Sequence, residues 1–338
     1  ISDEEIQKYY DENKKMFYRD EAKASHILIS TLDENDKELS KEKLTIIEKK
    51  QLKTNFLKTG IPVSFSSLLN KIILSANTIL LPQMLMVAGL SREMAMDEFA
   101  ILFSMTMPLV VLPSCVIMPI TTIVMPKISE YCVTDSLDLI KRKSAKMLQI
   151  VGMCAIPLFW ILLFFANPIF QTIYSSTRGA KYAAILALTT LIEYYQISSA
   201  SILNGLGHSV RASLSILVEG IIQLVCTITL VPIFKIDGFI IGDILSIVVA
   251  ATMNVTAVKK HTKIKFKLKN WLLNPLIASV ISVLIANLIY ISLLNFTIMT
   301  FALILSIISF FIIYFIILRL LGNKLIEYIK KTILISEK

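Results

Sequence analysis

Beyond Ile61 the sequence is built from long apolar runs parted by short polar connections, and that pattern leaves few folds open. A helix rises 1.5 Å per residue, so roughly 20 apolar residues cross the hydrocarbon core of a bilayer. Eight runs reach that length: residues 62–90, 98–126, 145–173, 180–206, 210–233, 238–258, 271–294 and 297–321. In lipid each backbone N–H and C=O must be satisfied within the segment, which a helix achieves and a lone strand does not. The expected fold class is therefore an all-α polytopic membrane protein with about eight transmembrane helices and a short soluble N-terminal leader.

The leader stands apart by its charge. Residues 1–60 hold twelve Lys or Arg and thirteen Asp or Glu, which leaves 34 of the 59 charged residues for the remaining 278 positions. The expected division is a charged leader over 1–44, a six-helix bundle over 45–258, two additional helices over 259–323 and a tail over 324–338. Within the leader, Ser2 and Glu5 have the spacing of a capping box at the start of a helix.

Basic residues sort the connections into two kinds. Lys41, Lys43, Lys49, Lys50, Lys53 and Lys58 precede the first run; Lys127, Lys141, Arg142 and Lys143 lie between the second and third. The stretch VKKHTKIKFKLKN follows the sixth, and the tail carries Lys324, Lys330, Lys331 and Lys338. The intervening connections SREMAMDE, IFKIDG and NFTIMT are poor in positive charge. Retention of Lys and Arg on the cytoplasmic side then places both termini in the cytoplasm.

The net charge of +9 arises from these juxtamembrane clusters, which lack interleaved stacking aromatics, so no nucleic-acid partner is expected. Membrane lipids with anionic headgroups are the expected partners of such clusters. Cys115, Cys132, Cys154 and Cys226 have neither CxxC spacing nor neighbouring histidines and read as small buried hydrophobes. No metal, cofactor or nucleotide motif is expected.

Two segments resemble known families. GLSREMAMDEFAILFSMTMPLVVLPSCVIMPITTIVMPKISEY (89–131) and ASILNGLGHSVRASLSILVEGIIQLVCTITLVPI (200–233) are similar to polysaccharide and lipid flippases of the stage V sporulation protein B branch of the MOP (MATE-like) exporter superfamily. That resemblance covers roughly residues 45–325. It implies the second six-helix lobe plus two further helices of a fourteen-helix transporter, without the first lobe. It also implies a location in the bacterial cytoplasmic membrane, a polyprenyl-diphosphate-linked sugar as substrate, and no change of covalent bonds. A cation-coupled drug antiporter of the same superfamily is the alternative. ISDEEIQKYYDENKKMFYRDEAKASHILIS (1–30) resembles the start of a parvulin-type peptidyl-prolyl isomerase of the exported foldase lipoproteins, with His26 at the first active-site histidine. That match stops near Ser40, so an idle remnant is expected rather than a membrane-anchored isomerase. The chain begins without methionine, and a fragment, a processed product or a fusion is the corresponding expectation; one lobe alone would need a first-lobe subunit or a second copy of itself.

Polar groups at membrane depth are costly and mark cavities, partners or interhelical contacts. In the first run Asn70 and Asn77 share a helix face, and Lys71 lies roughly 15 Å inside by helical rise. Lys71 reads either as a cavity cation that attracts a lipid diphosphate or as a snorkelling headgroup contact. Glu193 with Gln196, and Glu219 with Gln223, sit three and four apart on their helices. The glutamates read as sites for a coupling ion or proton, as partners of Lys71, or as interhelical hydrogen-bonding groups; for the glutamines the last is preferred. The candidate substrate-binding residues are thus Asn70, Lys71, Asn77, Glu193 and Glu219, and no catalytic residue is expected. Pro108, Pro113 and Pro119 predict a bent second helix. Gly205, Gly207, Arg178, Lys181 and Arg211 read as turn or headgroup positions.

Overall fold

The computed structural model describes residues 49–50, 53–54, 56–134, 136–264 and 269–322. The capping box at Ser2 and Glu5, His26, the leader lysines up to Lys43 and the tail lysines lie outside the described residues. The chain divides into two units, Ile1–Pro62 and Val63–Lys338. The first includes a π-helical turn, Phe56–Gly60, that runs into the opening residues of α1 (Ile61–Val87).

In the second unit the described residues form helices and short connections. After α1 come α2 (Arg92–Ala100), a π-helical segment (Ile101–Thr106), α3 (Met107–Val111) and α4 (Ser114–Val133). Then follow α5 (Leu137–Tyr174), α6 (Ala180–Gly205), α7 (Ser209–Phe234) and α8 (Ile236–Thr262). A second π-helical turn (Lys269–Leu273) leads into α9 (Asn274–Leu294) and α10 (Met299–Leu320). The described residues are all-helical, and the protein is a multi-pass membrane protein.

Eight helical segments among the described residues are long and apolar enough to cross a membrane, but they are not the eight runs read from sequence. Arg92–Val111 and Ser114–Val133 count separately where the sequence gives one span, and α6 is absent from the set. The first difference is a kink. Leu112 (φ −49°, ψ −41°) and Pro113 (φ −62°, ψ −17°) both stay in the right-handed helical region, so the chain bends without turning back. The π-helical segment sits one turn before Pro108, whose missing N–H and ring disturb the preceding turn. There Met107 N–H bonds to Leu102 O, and Thr106 Oγ1 donates to Ile101 O at 2.9 Å. The second difference is composition: α6 carries Glu193, Gln196 and a run of Ser, Thr and Tyr, and its burial among α4, α5, α7 and α8 spares those groups from lipid.

One expected connection is helical. SREMAMDE forms the start of α2 because Ser91 caps it, accepting from Met94 N at 3.3 Å, with Glu93 in the favourable first turn. Gly207, at φ +80°, closes the α6–α7 turn, where His208 N bonds to Leu203 O at 2.8 Å.

The core lies in separate apolar layers. One gathers Leu81, Leu85, Leu102, Phe170, Val231 and Phe239 near the α7–α8 connection. Another gathers Ile128, Met147, Leu148, Ile202, Val258 and Trp271 near the α6–α7 turn. The hairpin of α9 and α10 packs on α5, pinned by the Tyr314 hydroxyl donating to Met153 O at 2.6 Å. Between the two layers runs a polar belt.

Candidate functional site

The belt is organised by α7. Glu219, Gln223 and Thr227 follow at intervals of four, and each step advances about 40° round the helix. The three side chains therefore meet three different neighbours. Gln196 Nε2 of α6 donates to Glu219 Oε2 at 2.5 Å. Gln223 Nε2 donates to Phe239 O of α8 at 3.3 Å, and Thr227 Oγ1 donates to Asn77 Oδ1 of α1 at 2.9 Å. Asn70 lies one register lower on α1, against Gly220, where an added Cβ would stand 2.8 Å from Asn70 Oδ1.

Three carboxyl groups approach one another in this belt. Glu219 stands in the field of Glu193 on α6 and of Asp243 on α8, and Asp243 in that of Glu193. All three side chains are half-buried. Among the described residues no group of three His, Cys, Asp or Glu side chains converges closely enough to hold a metal ion. The arrangement is instead a set of like charges held apart, with Gln196 supplying a donor to one of them.

A cleft of about 230 Å³ opens beside Gln196 and is lined by Ile197, Ala200, Ser201, Asn204 and Ile216. It follows one face of α6 from the belt toward the α6–α7 turn.

The structure gathers some sequence-read residues and separates others. Asn77 and Asn70 face α7, and Glu193 lies in the field of Glu219. Lys71 points away from them: it is exposed, on the side of α1 that also exposes Leu68 and Ile72. Among the described residues the ion pairs given by geometry are Arg178 with Asp97 and Lys181 with Asp237, and Lys71 is in neither. Asp243 was missed by the sequence reading, although an Asp inside the run 238–258 is the same signal that marked Glu193 and Glu219.

The opposite end of the bundle carries a compact polar clasp. Arg178 pairs with Asp97 at 2.5 Å, Tyr182 donates to Glu98 Oε2 at 3.0 Å, and Lys181 lies 3.9 Å from Asp237. The hydrogen bond to Asp97 raises the Arg178 guanidinium above its ordinary range. Exposure keeps these contacts weak individually, but they link α2, the α5–α6 connection, the start of α6 and α8.

The chain is 22% identical to the stage V sporulation protein B of Bacillus subtilis (strain 168) over 227 residues, 67% of this chain and 44% of that protein. The chain is similar to stage V sporulation protein B. It spans less than half of that relative's length. A multidrug resistance MATE family transporter of the MOP superfamily, solved in an outward-facing conformation, matches 82% of this chain and 67% of its own with 15% identity and a TM-score of 0.39. Residues 1–70 match the family of the PPIC-type PPIASE domain. That match runs past Ser40, where the resemblance read from the sequence stops, and its last residues, 61–70, lie in α1.

Proposed function

We propose that this chain is a lobe of a membrane transporter that moves polyprenyl-diphosphate-linked oligosaccharide or polysaccharide precursors across the bacterial cytoplasmic membrane. The reading rests on the similarity to stage V sporulation protein B, joined to a belt of carboxyl and amide groups at mid-bundle depth. Polar groups held there at a cost are what a translocation or coupling site requires. Glu193, Glu219 and Asp243 act as the coupling group, alternately protonated or cation-bound and free. Gln196 holds Glu219 in place, and Asn77 ties α1 to the coupled helix α7 through Thr227, with Asn70 packed beside Gly220.

Lys71 takes the anionic headgroup. An ammonium on an otherwise apolar, outward side of α1 is costly against lipid and favourable against a diphosphate, which it binds as a point charge. That side of α1 then faces a partner, either a first-lobe subunit or a second copy of the chain, with the headgroup between them. Transport alters no covalent bond, so the chain is not an enzyme on this reading. A drug antiporter is the second reading, favoured by the same three carboxyl groups, because ion coupling serves either cargo.

The test reconstitutes the full chain in vesicles and follows a fluorescent lipid-linked diphosphate sugar from one leaflet to the other. Flipping should depend on a sodium or proton gradient, and Glu219→Gln should remove that dependence. Lys71→Ala should slow flipping about tenfold, the value of one charge-assisted contact, while membrane insertion stays normal. Flipping no faster than in empty vesicles, with gradient-driven export of an amphipathic cation instead, would favour the antiporter.

A further inference from the structure

α5 is longer than a bilayer needs. Its 38 residues span about 57 Å, against a hydrocarbon core of about 30 Å. The unbroken apolar stretch begins at Ile150, so the length that the hydrocarbon core cannot hold falls on residues 137–149. These turns carry Lys141, Arg142, Lys143 and Lys146.

Two of these lysines face a third on α4. Lys143 lies in the field of Lys127 and Lys146, and all three side chains are partly buried. Lys127 is six residues before the end of α4 and Lys143 six residues after the start of α5, so both lie about 9 Å from their helix ends. The Lys127 Nζ is enclosed by protein and has no hydrogen-bond acceptor. An ammonium carries three donors, and leaving them unmet beside further cations is uphill until an anion supplies acceptors. Glu130 and Asp138 are exposed, and neither is among the charges acting on Lys143.

We propose that Lys127, Lys143 and Lys146 form a binding site for the phosphate of an anionic glycerophospholipid. Depth selects a lipid phosphate, since the lysines stand in the headgroup layer. The surface on the bilayer side of Lys127 is apolar: Met118 and Ile123, deeper on α4, are exposed and receive the acyl chains. Charge selects an anionic lipid, because a zwitterionic headgroup brings an ammonium of its own into a site already rich in them. The site binds α4 to α5 through the lipid and is independent of the transport reading.

The test titrates the purified full chain in detergent with phosphatidylglycerol and counts bound lipid by native mass spectrometry. Phosphatidylglycerol should bind more tightly than phosphatidylcholine, and millimolar inorganic phosphate should not displace it. Lys127→Gln and Lys143→Gln should each weaken binding about fivefold, the value of one lysine at a membrane surface, and Arg142→Gln should leave it unchanged. The proposal fails if both lysine variants bind as the parent does, or if phosphatidylcholine binds equally well. It also fails if inorganic phosphate competes, which would make the site one for a free anion, or if Arg142→Gln weakens binding as much, which would make the attraction diffuse. Should Lys127→Gln not fold, the half-exposed Lys143 decides.

Discussion

Single residues in this protein are read most clearly where a polar group sits among apolar ones. Asn70, Asn77, Glu193 and Glu219 were legible as polar groups at membrane depth because burying them is expensive; Asn77 and Glu219 are hydrogen-bonded across helix interfaces, Asn70 packs beside Gly220, and Glu193 lies in the field of two other carboxyl groups. Lys71 shows the limit. It follows Asn70 by one residue, which turns its side chain about 100° away, so membrane depth was legible but the direction it faces was not. The Gln196–Glu219 bond gives a direct measure of what the belt contributes. Gln196→Leu should lower stability by about 1–2 kcal/mol, since Glu219 then loses its donor while still enclosed. The double variant Gln196→Leu, Glu219→Leu should cost less than the sum of the two single changes. Unfolding of the four variants in one bilayer composition checks this as a double-mutant cycle, and strict additivity would mean that the bond carries no net energy.

At the scale of elements, helix boundaries followed local chemistry that the hydropathy pattern does not weigh. Ser91 starts α2 inside a stretch whose charges look like a loop, and Pro108 and Pro113 bend one span into pieces without ending it. α6 was legible as a span by its length, although its polar content keeps it below the hydropathy of its neighbours, because burial rather than composition keeps it in the membrane. Close helix approach is set by glycines that pattern reading passes over. Gly238 packs on the backbone of α7, where an added Cβ would meet Leu230 O at 2.5 Å. Gly220 faces only the mobile end of the Asn70 amide and the Ile73 side chain. Gly238→Ala should therefore cost about 1–3 kcal/mol by forcing α7 and α8 apart, and Gly220→Ala less than about 1 kcal/mol because Asn70 can swing aside. Thermal unfolding in one detergent compares the two, and equal losses would show that α7 and α8 separate freely.

For the molecule as a whole, the charges at the two ends of the bundle decide its orientation. The end formed by the α4–α5, α6–α7 and α8–α9 connections carries Lys127, Lys141, Arg142, Lys143, Lys146, Arg211, Lys259, Lys260, Lys263, Lys265, Lys267 and Lys269 against Glu130, Asp135 and Asp138. The other end carries Arg92, Arg178, Lys181 and Lys235 against Glu93, Asp97, Glu98 and Asp237, and much of that charge is spent in the clasp. Insertion holds uncompensated Lys and Arg in the cytoplasm, so the basic end should face inward and the clasp outward. Single cysteines, placed in a variant lacking the four native ones, test this with a thiol reagent that cannot cross the membrane. Cysteines at Ser91, Ser176 and Phe296 should react in intact cells, and those at Thr134, His208 and Lys263 only after permeabilisation. The reverse pattern would turn the protein over. A mixed pattern would mean that Arg92–Val133 is not a single crossing, because an added or lost crossing there inverts every later connection.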